Sequence, residues 1–140
     1  MVSVRARCVH RHYLNNDVHA FIFHYADEET VDEFIQQFRE VLHQQPRDET
    51  LLMLVDLRPM GIPPFTYTLN AVARLFKEPQ IANPEPPKIR AAYIYDQSRF
   101  IEVMKRFFGL LKLNNQRRFF KGQQVEALAW LLGGEDATSA

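Results

Sequence analysis

The stretch "LLMLVDL" (residues 51–57) is seven residues long, almost wholly apolar, and flanked by "DET" and "RPM". A half-buried strand would alternate apolar and polar residues. A continuous apolar run bounded by polar residues is instead the mark of a strand covered on both faces, as in a parallel sheet. A second run of this kind, "IRAAYIYD" (89–96), lies further along. Two such strands need crossover connections, and the sequence between and around them supplies these.

Upstream, "DEETVDEFIQQFREVLHQQ" (27–45) places Val31, Phe34, Ile35, Phe38, Val41 and Leu42 at helical spacing. Asp27 is its N-cap, and Glu28 and Glu29 suit the positive end of the helix dipole. Before it, "VSVRARCVHRHY" (2–13) and "VHAFIFHY" (18–25) are β-prone and flank the turn signal "LNND", which makes a hairpin. After residue 57, "RPMGIPP" is a rigid loop and "FTYTLNAVARLFK" (65–77) a second helix. "EPQIANPEPPK" (78–88) carries four prolines and is a stiff connection. "RFIEVMKRFFGLLKL" (99–113), capped by Asp96 or Ser98, is a third helix. "RRFF" (117–120) is a short last strand, and "QQVEALAWLL" (123–132) a closing helix stopped by Gly133 and Gly134.

The order is therefore ββαβαβαβα. It predicts an α/β domain with a four- to five-stranded, mostly parallel sheet, an antiparallel edge strand and packed helices. The 140 residues suit one domain, expected over 1–134 with a frayed tail at 135–140. In the last helix, Val125, Leu128, Ala129 and Leu132 form the expected buried stripe, with Trp130 at its border and the unit covering the sheet edge.

Composition bounds the function. Lys plus Arg and Asp plus Glu both total 17, so global charge argues for neither nucleic acid nor a membrane surface. The phenylalanines follow helical burial and are not interleaved with bases on a sheet face, which argues further against RNA. No apolar run is long enough to span a bilayer. The N-terminal residues have no apolar signal region, and a single Cys fits a reducing cytoplasm. Charge is uneven along the chain: 27–49 holds eight acids and two bases, 88–121 nine bases and two acids. These are either oppositely charged solvated helix faces or, at the second, a basic surface for an acidic partner.

Three stretches, "LLMLVDLRPM", "IRAAYIYD" and "RRFFKGQQVEALAWL", together with the element order, resemble the STAS-like, anti-anti-sigma-factor-like family of bacterial proteins. The likeness lies in the Asp-Leu pair that ends a buried strand and in the Phe119-Phe120 ending, followed by Glu126, Ala127, Trp130 and Leu131. It covers nearly the whole chain in topology. The resemblance implies a regulatory or scaffolding domain that works by protein–protein interaction, without catalysis or cofactor, and forms a homodimer. The anti-anti-sigma branch carries a phosphorylatable Ser in an Asp-Ser-Ser-Gly turn. Here the matching region is "GIPPFTYTLN" (61–70), which lacks that motif. Thr66 falls near the place of the serines and is expected to cap its helix.

The residues that could carry chemistry fall into three groups. Asp56 and Asp96 end the two buried strands, with Arg58 and Ser98 just beyond. In open α/β sheets ligands bind there, so these residues with Thr66 form the candidate edge for a nucleotide or lipid-like ligand. The same carboxylates equally serve as turn caps. In the hairpin, a turn centred between Asn15 and Asn16 sets His12 opposite His19 and Cys8 opposite Phe23, with His10 on the same face. Three imidazoles and a thiol on one face are ligands a transition metal accepts. A one-residue slip would scatter them and no zinc-motif spacing is present, so surface histidines without a metal are expected. Cys8 itself is expected to be a small core residue. Lastly, Phe100, Met104, Phe107, Phe108 and Leu111 make the third helix apolar more widely than one buried face requires. It either lies beneath two layers or meets a partner, with Tyr67, Leu69 and Phe76 extending the patch.

Overall fold

The computed structural model describes residues 7–58, 64–83, 87–95, 115–120 and 122–133. The third helix expected at 99–113, the loop at 59–63 and the tail lie outside them.

Five strands form one sheet: β1 (Cys8–Tyr13), β2 (Val18–Phe23), β3 (Leu51–Asp56), β4 (Ile89–Tyr95) and β5 (Asn115–Phe120). They stand side by side in chain order. β1 runs antiparallel to β2, and every other neighbouring pair is parallel. The mostly parallel sheet with one antiparallel edge strand is the architecture expected from the two apolar runs. Among the described residues the helices are α1 (Glu28–Gln44), α2 (Phe65–Phe76), α3 (Pro79–Ala82) and α4 (Gln124–Leu131).

The period-2 alternation of the strands divides the core into two layers. On one face Phe21, Phe23, Met53, Val55, Ala91, Tyr93 and Tyr95 pack with Phe34, Phe38 and Leu42 of α1 and Leu75 of α2. Aromatic rings dominate this layer: Phe21 meets Phe34 edge-on at 5.2 Å, and Phe38 meets Phe76 at 5.9 Å. On the other face Val18, Ala20, Leu54, Ala92 and Ile94 pack with Phe119 of β5 and with Ala127, Trp130 and Leu131 of α4. Both faces of β3 and β4 are covered, which is why their sequences show no polar alternation.

Local chemistry sets the helix ends. The Asp27 carboxylate accepts from the Thr30 N–H (2.9 Å) and from Thr30 Oγ1 (2.6 Å), forming the expected N-cap. α1 also holds the sheet edge, because edge strands carry backbone groups with no ladder partner. Glu33 Oε1 accepts from the N–H groups of Arg7 (2.9 Å) and Cys8 (3.3 Å), and Gln37 Nε2 donates to the Cys8 carbonyl (2.7 Å).

Three details depart from the sequence-based expectations. The proline-rich connection contains a helical turn, α3: Pro79 at its first turn costs no hydrogen bond, and fully buried Ile81 anchors it in the core. Thr66 does not cap α2. Pro64 holds the N-cap position, and its carbonyl accepts from the N–H and hydroxyl of Thr68 at 3.0 and 2.6 Å. Tyr67, Leu69 and Phe76 are partly buried against the first core layer, and the helix whose patch they were expected to extend lies outside the described residues. In α4 the buried residues are Ala127, Trp130 and Leu131, whereas Val125 is 77% and Leu132 51% exposed. α4 thus lies across a sheet face, against β3, β4 and β5, and is rotated from the expected stripe.

Arg90 of β4 explains that rotation. Its guanidinium donates twice to the Trp130 carbonyl (2.9 and 2.6 Å) and lies 4.0 Å above the Trp130 ring. It thereby satisfies a C-terminal helix carbonyl and draws the indole inward.

Candidate functional site

The strand edge is the first candidate. β3 and β4 are neighbours, with Asp56 beside Ile94, so the strands bearing Asp56 and Asp96 leave the sheet side by side. Asp96 and Ser98 lie outside the described residues. Asp56 and Arg58 do come together, through a compact local brace. The Arg58 N–H and Nε donate to Asp56 Oδ1 at 3.0 and 2.9 Å, and its terminal nitrogen donates to Oδ2 at 2.8 Å. The same nitrogen reaches Gln124 Oε1 at 3.1 Å, tying the exit of β3 to the start of α4. A bidentate pair of this kind fixes a turn geometrically as well as electrostatically. Thr66 is exposed in the first turn of α2. The described strands follow one another across the sheet without a reversal of order.

The hairpin is the second candidate, and its register follows the sequence arithmetic: His12 pairs with His19, and Cys8 with Phe23. Cys8 continues inward to the core, where burial, reinforced by the Glu33 carboxylate, pushes its thiol up to about 12. The thiol therefore stays protonated and belongs to the packing. The three imidazoles gather at the open end of the same face. His12 stacks on His19 with centroids 3.9 Å apart, His10 stacks beside it at 5.2 Å, and His10 rests on Phe21. His10 Nε2 and His19 Nδ1 share a hydrogen bond of 2.9 Å.

Asp17, at the end of the turn, completes the group. It adopts a left-handed backbone with φ 56°, which aspartate tolerates better than most residues. Its Oδ1 lies 2.6 Å from His12 Nε2 and 3.9 Å from His19 Nε2. Both ring nitrogens thus converge on one carboxylate oxygen. Burial, followed by the proximity of His12 and His10, lowers His19 to about 4. Burial and His12 likewise lower His10, against an opposing pull from Glu40. At neutral pH the His10 and His19 rings are therefore neutral. Sequence reasoning placed the histidines on one face and left Asp17 as a turn residue; its position at the tip of the same hairpin is the signal that joins it to them. Beside the group, a groove of about 460 Å³ opens between the hairpin tip and α4, lined by His12, Tyr13, Leu14, Asn16, Leu54 and Leu128.

Among the described residues, no helix is long and apolar enough to cross a membrane. Residues 20–132, most of the chain, match the family model described as SpoIIAA-like. No curated protein and no solved structure matches the chain.

Proposed function

We propose that this chain, which belongs to the SpoIIAA-like family, is a regulatory or scaffolding domain that acts by binding protein and carries out no catalysis of its own. The family match over residues 20–132 is the observation that carries the reading. The local chemistry supports it. The Asp56 carboxylate is engaged by Arg58 as a structural brace, and the Cys8 thiol is buried and held protonated. The reading includes a homodimer in which Phe100, Met104, Phe107, Phe108 and Leu111, outside the described residues, form the apolar contact. It also places the protein in the cytoplasm.

Sedimentation of the purified chain, paired with affinity capture from native lysate, tests this. The expected result is a dimer that dissociates in Phe107→Lys while the melting transition stays cooperative, and a protein captured in stoichiometric amount. A monomer that captures nothing overturns the reading.

A further inference from the structure

We propose that the tip of the β1–β2 hairpin is a binding site for a divalent first-row transition cation of the zinc type, with His12 Nε2, His19 Nε2 and the Asp17 carboxylate as ligands. This goes beyond the protein-binding reading and does not depend on it.

The geometry carries the proposal. The donor atoms of His12, Asp17 and His19 all lie within 4.8 Å of one another. A tetrahedral site with bonds of about 2.0–2.1 Å sets its ligand atoms roughly 3.3 Å apart. The observed separations from Asp17 Oδ1, 2.6 and 3.9 Å, bracket that figure. To admit the ion, the stacked His12 and His19 rings rotate so that both in-plane Nε2 lone pairs meet it. Two imidazoles and a carboxylate are a donor set that zinc and its neighbours accept, and three protein ligands leave a fourth position open to solvent.

The surroundings suit the role. A ligating imidazole is held by a partner on its other ring nitrogen. His10 is that partner: when His19 Nδ1 donates to His10 Nε2, the His19 Nε2 lone pair points toward Asp17. In the absence of a cation this tautomer sets a lone pair facing a carboxylate oxygen, and the ion removes that conflict. The ladder fixes the donors from both sides, because His12 and His19 are register partners and Asp17 lies in the turn that joins their strands. His10 is a positioning residue, and Glu40 of α1 also acts on its charge.

The test uses the tag-free full chain, stripped with chelator, and titrates zinc chloride by calorimetry. Cobalt chloride follows as a spectroscopic probe of geometry. One equivalent is expected to bind with micromolar or tighter affinity, to raise the melting temperature, and to give the intense visible absorption of tetrahedral cobalt. His12→Gln and Asp17→Asn, both at exposed positions, are expected to weaken binding at least about tenfold while the metal-free melting temperature stays close to that of the unsubstituted chain. His10→Ala is expected to weaken it by about tenfold and to alter the cobalt spectrum, a change that a purely structural role would not produce. No binding at micromolar zinc, or binding unchanged in both His12→Gln and Asp17→Asn, overturns the proposal.

Discussion

At the scale of single residues, several polar side chains that look reactive in isolation are tied to partners a few residues away. Asp56 is the clearest case. As the last residue of a buried strand it has the position of a ligand-binding carboxylate, yet Arg58 donates three hydrogen bonds to it across two residues. Asp56→Asn keeps the shape and removes the charge. It is expected to lower the unfolding free energy by about 1–2 kcal/mol in urea denaturation and to leave protein capture unchanged. Loss of capture with folding intact would move the binding surface to this edge. The brace was not legible in the sequence because Asp-Leu-Arg states neighbourhood without direction. Only the turn brings the guanidinium back onto the carboxylate. The hairpin register, in contrast, was legible to the residue, because a short turn fixes each pairing once its centre is known.

Among the elements, α1 and α4 show what periodicity can and cannot decide. In α1 the apolar residues form one stripe against a charged face, and all six expected core residues are buried. Phe38, with three aromatic neighbours and 1% exposure, is its centre. Phe38→Ala is expected to cost about 3–5 kcal/mol, read from the denaturation midpoint. α4 is apolar nearly all round over eight residues, so its sequence fits more than one orientation. A residue from another element, Arg90, chooses between them by holding the Trp130 carbonyl and ring together. Arg90→Met retains much of the aliphatic stem and removes the donors. It is expected to destabilise by about 1.5–3 kcal/mol and to shift Trp130 fluorescence to the red as the indole gains water. An unchanged spectrum would mean that packing alone seats the helix. The short α3 was hidden for a similar reason: four prolines suggest a stiff connection, but one at a first helical turn is compatible with a helix, and Ile81 supplies the burial that fixes it.

For the whole molecule, buried ionisable groups shape the response to pH. Cys8 is pushed from its ordinary 9.0 up to about 12, and burial raises Tyr93 in the same direction. The folded state therefore retains protons that the unfolded chain gives up first. The Cys8 contribution to stability is fully present below about pH 9 and is lost as pH rises from there toward about 12, and that of Tyr93 begins to be lost about one pH unit higher. The urea midpoint is expected to fall across that window, and Cys8→Ala is expected to flatten part of the decline. An identical decline in the variant would assign the effect elsewhere. The fold itself was readable at this scale because two long apolar runs and a hairpin leave few ways to build one sheet, and the parallel strands with an antiparallel edge follow. Strand order was not readable, since it depends on how each crossover lies in space.

That order, one to five without reversal, bears on how the protein is made. Every ladder joins strands adjacent in the chain, so each strand finds its partner already synthesised and waiting at a single growing edge. Assembly can proceed in the direction of translation, each addition closing only the crossover just completed. Of the described elements β5 and α4 emerge last, and they bring Phe119 and Trp130 to the second face. A nascent chain that has left the ribosome only as far as residue 114 would hold a sheet without that cover, with Leu54, Ala92 and Ile94 awaiting it. Pulse-labelled nascent chains should gain protease resistance in steps that follow the strand numbers.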